Sequence, residues 1–219
     1  MKSKKDKVLF LIQWPPPVHG SSLIGQRIKN SHIINNAFDS YFINTMTSRN
    51  MKELGGRPML KIYRFMNIFY LFIKLILKND FDICVFAITA KGKAFFRDLI
   101  FIFFLKIFRI KYLLLMNNKG VSSYSGNSVY DFAYKFLFKN TNVIINSIFI
   151  YPDIEKYVAK DKVNILFNGI PDTTNVKIKK SESAVTKILY LGNMTRSKGA
   201  FVLLEACKIL NQKQVNFKC

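Results

Sequence analysis

Short apolar runs alternate with segments of helical length over most of the chain. Each run has four or five residues and is bounded by polar or turn-forming residues, which favours a buried strand over a helix. The segments between the runs are long enough for helices. Repeated strand–helix units predict a parallel sheet covered by helices on both faces, an α/β fold that binds ligands at the carboxyl ends of its strands.

The predicted strands and helices locate the loops where a ligand would bind. The strands are Val8–Ile12, Tyr41–Asn44, Ile83–Ala87, Tyr112–Met116, Val143–Asn146 and Val163–Phe167. The helices are Ser21–Asn30, Pro58–Lys78, Lys93–Phe108, Ser128–Phe138 and Ile148–Val158. The loops after the strands, where we expect functional side chains, are Trp14–Ser22, Thr45–Arg57, Ile88–Gly92, Asn117–Gly126 and Asn168–Asp172.

The loop after the first strand, WPPPVHGSSLIG, joins three prolines to a glycine and two serines. The prolines, Pro15–Pro17, donate no backbone N–H, so neither a strand nor a helix continues through them. Gly20 permits a close approach of backbone, and Ser21 or Ser22 caps the helix that follows. The free N–H groups of such a helix start suit a phosphate or carboxylate, although an ordinary strand-to-helix turn fits the same residues.

Other polar loop residues are weaker candidates. His19 is a candidate ligand contact or base, but a lone loop histidine is often incidental. The stretch NNKGVSS, which starts at Asn117, combines amides, a cation and a glycine, and either an anion site or a simple turn explains it. Asp80-Phe81-Asp82 has the DxD form of some metal-dependent sugar transferases. Because it precedes a strand instead of following one, we interpret it as the lead into that strand.

The composition bounds the size and the partners of the protein. Its 219 residues, half of them hydrophobic, are enough to bury one domain and to begin another. The formal net charge of +21 comes from 34 Lys and Arg against 13 Asp and Glu. This balance favours nucleic acid, an acidic membrane face or a phosphate-bearing substrate. Nucleic acid is not expected, because its binding needs exposed aromatics among the basic residues, and here the aromatics fall mainly within predicted helices and strands.

The cysteines indicate a reduced setting. Cys84, Cys207 and Cys219 show no CxxC spacing, and with His19 and His32 they form no plausible zinc set. A cytosolic location fits this usage best.

Two apolar stretches, Met59–Leu77 and Leu99–Phe108, are the strongest membrane candidates. Lysines and an arginine interrupt the first stretch, and the second is too short to span a bilayer. Both stretches fit helices that pack on a sheet or that lie on a membrane surface.

The composition changes after Asp172, where the polar and charged residues 173–186 are typical of a linker. A fresh strand, Ile188–Leu191, then leads through GNMTRSKG into a helix, and Val215–Cys219 begins another strand. These elements are too few for a sheet domain, so we expect a fragment that is truncated at its C terminus. Residues 1–172 would form the first domain, and residues 187–219 would begin the second.

Two cations lie just ahead of the last predicted helix. Arg196 and Lys198 precede Gly199, and together with the free N–H groups of the helix they would suit a diphosphate. An exposed basic turn is the simpler alternative.

Four stretches together resemble the family 4 glycosyltransferases of the GT-B fold: PPPVHGSSL, NNKGV, ILFNGIPD and ILYLGNMTRSKGAFVLLEA. The version with PPP, NKGV and NGIPD is similar to the bacterial cell-surface polysaccharide type. The resemblance implies a GT-B N-terminal domain, which is a Rossmann-like parallel sheet flanked by helices. It also implies that the chain continues into the first strand and helix of a second Rossmann-like domain.

The reaction implied by the resemblance is sugar transfer with retention. A nucleotide-sugar donor, held mainly by the second domain, gives its sugar to a saccharide or polyprenyl-diphosphate-linked acceptor held mainly by the first. No metal or other cofactor is expected, so cations and amides must stabilise the departing diphosphate. Such an enzyme would be cytoplasmic and peripheral at the inner face of the plasma membrane. Its basic, apolar helices Pro58–Lys78 and Lys93–Phe108 would dock to acidic lipids.

The resemblance also assigns site residues. Lys198 corresponds to the family's phosphate-binding lysine, and Gly20 to the glycine of the loop that approaches the sugar and phosphates. Arg196 and Gly199 complete the expected donor and phosphate contacts. The candidates for acceptor or donor-sugar contacts are His19, Ser21, Asn117, Lys119 and Asn168. No catalytic residue is assigned.

The chain departs from the family at three places. Asn193 replaces the usual arginine after the strand glycine, so Arg196 would have to substitute for it. Asn117 stands where the family often has a histidine, and the family's Glu-x7-Glu motif would lie beyond Cys219. We therefore expect weak donor binding and little turnover. Two alternatives remain: a non-enzymatic basic protein that binds a membrane surface or nucleic acid, and an inactive remnant.

Overall fold

A six-stranded sheet forms the larger part of the structure, a computed structural model that describes residues 5–50, 53, 58–169, 185–192, 194 and 196–219. The chain divides into a first unit of residues 1–169 and a second unit of residues 170–219. The sheet belongs to the first unit, and each unit is described by itself.

The strands of the sheet are all parallel and lie in the order β2-β1-β3-β4-β5-β6. Their bounds are β1 Lys7–Ile12, β2 Asp39–Asn44, β3 Ile83–Ala87, β4 Lys111–Met116, β5 Asn142–Ile145 and β6 Val163–Ile165. The predicted parallel sheet is therefore confirmed, and each strand boundary lies within two residues of its predicted position. The result is a Rossmann-like α/β fold.

Four of the predicted helices are confirmed: α1 (Gly20–Lys29), α3 (Pro58–Lys78), α4 (Gly92–Ile107) and α6 (Ser128–Phe138). Two short helices were not predicted, α2 (His32–Ala37) and α5 (Val121–Tyr124). The Ser31 side chain caps α2 by accepting a hydrogen bond from the backbone N–H of Ile34. A helix of this length has almost no periodic signal, so its serine cap is the main trace of it in the sequence.

The predicted helix over Ile148–Val158 is confirmed only in part. The chain forms a 3-10 turn at Ile148–Ile150 and then a short helix, α7, at Tyr151–Ile154. Pro152 explains the break, because a proline lacks the N–H of a helix interior and is tolerated only in the first turn. In the structure Pro152 lies in the first turn of α7.

The two faces of the sheet are covered unequally. Helices α3, α4 and α6 pack on one face and bury a core of aromatic rings, in which Phe101 lies 5.1 Å from Phe72 and 5.7 Å from Phe86 between ring centroids. The other face has a smaller core, where Phe10 of β1 packs near Ile28 of α1 and Ile34 of α2. Full burial of a phenylalanine stabilises a fold by about 1.5–3 kcal/mol, so the larger core carries most of the stability.

Gly25 sets how closely α1 packs against the loop after β1. A Cβ atom at this position would lie 2.0 Å from the backbone oxygen of Gln13. At Gly20, by contrast, an added Cβ would meet no atom within 4 Å. The steric need for glycine in α1 is therefore at Gly25, which the sequence analysis did not single out.

No helix in the described part of the chain combines the length and the hydropathy that crossing a bilayer requires.

The second unit contains a two-stranded parallel sheet and one long helix. The strands are β7 (Thr186–Lys187) and β8 (Phe217–Lys218), and the helix is α8 (Ala200–Gln212). The strand predicted at Ile188–Leu191 is misplaced, because the pairing with β8 starts at Thr186 and ends with the N–H of Ile188 donating to Lys218 O at 2.8 Å. The predicted linker residues 173–184, together with Asn193, lie outside the described residues.

Candidate functional site

The loops at the carboxyl edge of the sheet enclose a cavity of about 1050 Å³. Four of the five loops predicted to carry function line it: Ser21 follows β1, Thr45 follows β2, Thr89 follows β3 and Asn117 follows β4. The chain order reverses between β1 and β3, so the cavity lies at the switch point where parallel α/β sheets bind ligands. The strand order thus gathers residues that lie up to about a hundred positions apart in the chain.

The cavity wall is positively charged. Lys61 of α3 and Lys93 and Arg97 of α4 line it, and the described lining residues include no carboxylate. Among the described residues, Lys61 and Lys93 make no ion pair. A wall with two such free cations favours an anionic ligand.

Arg97 is held by its neighbour Asp98. The Arg97 guanidinium donates to Asp98 Oδ1 from Nη2 at 2.6 Å and from Nε at 3.0 Å, while Asp98 Oδ2 accepts the backbone N–H of Thr89 at 3.0 Å. The Asp98 side chain is only 1% exposed. Burial raises the pKa of Asp98, and the charge of Arg97 with the hydrogen bonds from Arg97 and Thr89 opposes that rise. This pair fixes the loop after β3 in place.

A second ion pair holds the loop after β2. Arg64 Nη1 lies 2.5 Å from Glu53 Oε2 and also donates to the backbone oxygen of Thr47 at 2.9 Å. Arg97 Nη1 reaches the Thr47 hydroxyl at 3.4 Å, a long contact. The loop that supplies Thr45 to the cavity is therefore attached to α3 by charge-assisted hydrogen bonds.

His19 lines the cavity and caps α1. Its Nδ1 accepts the backbone N–H of Ser22 at 3.3 Å, and the hydroxyl of Ser21 lies 3.0 Å from the same atom. The Ser22 hydroxyl in turn accepts the backbone N–H of His19 at 2.9 Å, which completes a capping box. Burial lowers the pKa of His19, so the ring is neutral at pH 7. The prolines before it include cis peptide bonds at Pro15–Pro16 and Pro16–Pro17.

Two buried polar atoms in the cavity wall have no hydrogen-bond partner among the described residues. They are Thr45 Oγ1 and Asn117 Oδ1, and both residues line the cavity. A buried polar group without a partner costs about 1–3 kcal/mol, so native proteins usually satisfy such groups with water or a ligand. The cavity wall therefore contains two polar groups whose hydrogen-bonding capacity is unused among the described residues.

Asp153 of α7 fixes the loop after β4. Its carboxylate accepts the backbone N–H groups of Gly120, Val121 and Ser122 at 2.8, 3.0 and 3.1 Å, and the Ser122 hydroxyl at 2.7 Å. Burial by itself would raise the pKa of Asp153, but these hydrogen bonds outweigh it and hold the pKa below its ordinary value. A carboxylate from a distant helix thus caps α5 and holds the loop that begins at Asn117.

Replacement of Asp153 with asparagine should reduce the free energy of unfolding by about 2 kcal/mol at pH 7, because an amide cannot accept all four hydrogen bonds. The pKa of Asp153 is lower in the folded state, so the unfolded state takes up the proton first as the pH falls. The stabilisation is therefore present above about pH 5 and is lost progressively below it. Urea unfolding at several pH values, followed by Trp14 fluorescence, measures this.

The matched control is Asp161→Asn, which changes an exposed carboxylate on a 3-10 turn. The stability of Asp153→Asn should depend less on pH than that of wild type, whereas the control should follow wild type. Parallel curves for all three proteins would show that Asp153 carries no linked stabilisation.

The structure brings together some of the predicted contact residues and not others. His19, Ser21 and Asn117 line the cavity, and Asn118 lies beside them. Gly20 begins α1, while Lys119 and Asn168 are exposed and are not among the described lining residues.

The remaining predicted contacts belong to the second unit. Arg196 and Lys198 lie on a 3-10 turn, and Gly199 caps α8 with φ of +78°, a conformation that favours glycine. The Arg196 guanidinium lies 5.3 Å from the centre of the Phe201 ring. Both cations are exposed.

Sequence reasoning did not find Lys61, Lys93 and Arg97, which supply the charge of the cavity. Lys93 directly follows a loop that was predicted to carry function, and this was an available signal. Lys61 and Arg97 lie inside helices, where periodicity assigns a face but not the neighbouring loop. The DxD residues are at the opposite edge, where the Asp82 carboxylate accepts the N–H of Lys7 at 2.8 Å, so their interpretation as the lead into a strand is confirmed.

The fold and the cavity define a class: a Rossmann-like α/β protein with a basic cavity at the switch point of its sheet. Comparisons of the chain with protein-family models, with curated proteins and with solved structures gave no match.

Proposed function

We propose that the chain is part of a retaining glycosyltransferase of the GT-B fold that acts in cell-surface polysaccharide synthesis. The first unit would bind a saccharide or polyprenyl-diphosphate-linked acceptor. The second unit would contribute to binding of a nucleotide-sugar donor. No metal takes part in the proposed reaction, so protein cations carry the charge of both diphosphates.

The observation that carries the proposal is the chemistry of the cavity wall. Lys61 and Lys93 supply free positive charge, and Thr45 and Asn117 supply polar atoms that lack protein partners among the described residues. A diphosphate flanked by sugar hydroxyls would satisfy both sets of groups. Its charge-assisted hydrogen bonds are also about twice as strong as neutral ones.

One side of the same cavity is apolar. Ile62 and Phe65 of α3 and Ile100 of α4 line it next to Lys61 and Lys93. A polyprenyl diphosphate has this arrangement of a charged head joined directly to a hydrocarbon chain. The cavity therefore suits the lipid-linked acceptor better than a free saccharide.

The turn before α8 supports donor binding. Arg196 and Lys198 are exposed cations at the start of a helix whose first N–H groups attract anions. In the proposed reaction they stabilise the nucleoside diphosphate as the glycosidic bond breaks and negative charge builds on its oxygen.

A membrane location follows from the acceptor and is supported by α3 and α4. Helix α3 has no acidic residue in its 21 positions, and its outer face exposes Met59, Tyr63 and Tyr70, which are 76%, 65% and 68% accessible. The only acidic residue of α4 is the buried Asp98, and its outer face exposes Phe103 and Ile107. We place these faces on the acidic inner surface of the plasma membrane.

The test of the acceptor site uses farnesyl diphosphate, a soluble compound with the charged head and a short isoprenoid tail. Its binding to the full chain is measured by isothermal titration calorimetry. Lys61→Gln and Lys93→Gln should each weaken binding at least about tenfold, since a charge-assisted hydrogen bond contributes about 1.5–3 kcal/mol. Lys74→Gln is the matched control, because it removes an exposed lysine from α3 away from the cavity.

Equal binding by wild type and both cavity variants would contradict the proposed acceptor site. Transfer is tested separately by incubating the full chain with a panel of nucleotide sugars and a polyprenyl-diphosphate-linked sugar, followed by mass spectrometry. A glycosylated acceptor would support the enzyme. Its absence together with retained farnesyl diphosphate binding is the outcome expected of an enzyme fragment with little turnover, whereas absence of both would favour the non-enzymatic membrane-surface alternative.

A further inference from the structure

A second cavity, of about 720 Å³, lies at the amino edge of the sheet, opposite the candidate active site. It is formed where β3, β4 and β5 begin, at Ile83, Lys111 and Asn142. Helices α4 and α6 end beside it and contribute residues from their last turns. The proposed sugar transfer makes no use of this cavity.

Four cations line this second cavity: Lys106, Arg109, Lys111 and Lys139. None of its described lining residues is acidic. Asp82 directly precedes the lining residue Ile83, but its carboxylate accepts the backbone N–H of Lys7 and makes no ion pair among the described residues. The cations therefore face one another without a protein counter-ion in the described part of the chain.

The ammonium group of Lys106 is partly buried and lies near the other cations of the cavity. It lies 4.1 Å from the centre of the Phe136 ring and 5.8 Å from that of Tyr112, and it donates to the backbone oxygen of Phe136. Burial lowers the pKa of Lys106, and the charge of Lys139 lowers it further. An anion bound between these groups would relieve the repulsion.

The negative C-terminal ends of the helices offset only part of the positive charge of the four lining cations. Each helix C terminus carries roughly half a negative elementary charge, so α4 and α6 together offset about one of the four cations. The remaining charge, beside the rings of Tyr112 and Phe136, fits a phosphate group. Arg109 has φ of +55°, so the chain accepts a left-handed conformation at a residue that lines the cavity.

Exposed apolar side chains next to the lining residues indicate the source of the phosphate. Ile107 and Phe108 stand between the lining residues Lys106 and Arg109 in the chain and are 54% and 40% exposed, and Phe103, one turn earlier in α4, is 51% exposed. Apolar side chains beside a basic pocket match the boundary between lipid headgroups and acyl chains. A soluble phosphate compound would gain nothing from them.

We propose that the cavity lined by Lys106, Arg109, Lys111 and Lys139 binds the headgroup phosphate of an anionic phospholipid, while the end of α4 inserts into the membrane interface. The inference rests on the membrane location in the proposed function and is independent of the sugar-transfer chemistry. It assigns a particular lipid contact at the edge of the sheet that lies opposite the acceptor cavity.

The test compares vesicles of phosphatidylcholine with vesicles that also contain phosphatidylglycerol, using flotation of the full chain. The variant is Arg109→Asn with Lys139→Gln; asparagine is chosen because it tolerates a left-handed backbone. Its affinity for the anionic vesicles should fall by about 30-fold, since each basic residue near an anionic surface contributes about 1 kcal/mol. The control is Lys160→Gln with Lys162→Gln, which removes two exposed cations before β6, at the same edge of the sheet.

A loss confined to the Arg109 and Lys139 variant supports the headgroup site. Equal losses in both double variants would overturn it, because net charge alone would then explain the binding. Saturable binding of inorganic phosphate at the cavity, with no preference for anionic vesicles, would also overturn the lipid assignment. Farnesyl diphosphate also carries phosphate and an apolar tail, so only the part of its binding that is insensitive to Lys61→Gln and Lys93→Gln should change in this variant. Failure of this inference is therefore distinguishable from failure of the proposed acceptor site.

Discussion

Arg97→Met should lower the free energy of unfolding of the first unit by about 3 kcal/mol, because it leaves the buried Asp98 carboxylate without its ion-pair partner. Asp98 would then retain mainly the N–H of Thr89, and burial would raise its pKa further. Urea unfolding followed by fluorescence measures this effect directly. Trp14 is the sole tryptophan and packs in the smaller core of the first unit, so its signal reports on that unit.

Arg49→Met is the matched control for Arg97. Arg49 is exposed, and its guanidinium makes no hydrogen bond or ion pair among the described residues. We expect the unfolding free energy of the Arg49→Met variant to stay within about 0.5 kcal/mol of the wild-type value. A similar loss in both variants would show that the Arg97–Asp98 pair contributes nothing specific.

Gly25→Ala should also destabilise the first unit by about 3 kcal/mol, near the upper end of typical overpacking costs. The added methyl group would lie 2.0 Å from the backbone oxygen of Gln13, and backbone cannot move aside as a flexible side chain can. Helix α1 would have to shift away from the loop after β1. The same urea measurement applies, and the nearby Trp14 should show a shifted emission maximum in the folded state.

Gly20→Ala is the internal control, because it makes the same chemical change five residues earlier in the same helix. No atom lies within 4 Å of the added methyl group, so the stability should be equal to or slightly above that of wild type. If Gly25→Ala were as stable as Gly20→Ala, the close packing of α1 would not limit stability.

The sequence was sufficient to predict the parallel sheet and the loops that form the cavity. Buried parallel strands are continuous apolar runs, and this signal is strong for β1, β3 and β4. Ligands bind at the carboxyl ends of such strands, so the loops could be chosen without knowing the strand order. Ser21, Thr45, Thr89 and Asn117 show that four of these loops meet at one cavity.

The order of the strands could not be predicted, and it decides which loops meet. β1 lies between β2 and β3, which places Thr45 and Thr89 on either side of the loop after β1. Such pairing depends on contacts between residues far apart in sequence. Local propensity does not contain this information.

The cations of the cavity were missed for a different reason. Arg97 and Asp98 are adjacent, and charged neighbours in a helix usually lie on a solvated face. Asp98, however, shares its helix face with the buried residues Phe95, Phe101 and Leu105, at spacings of three and seven residues. A carboxylate within an apolar stripe was an available sign of a buried ion pair.

The cap of α1 determines which hydrogen His19 presents to the cavity. Because Nδ1 accepts the N–H of Ser22, the neutral ring carries its proton on Nε2. Toward a bound ligand, His19 is then a hydrogen-bond donor and has no free lone pair for deprotonating an acceptor hydroxyl. While α1 keeps its cap, the nucleophile of the proposed transfer would have to lose its proton to another base, such as an oxygen of the departing diphosphate.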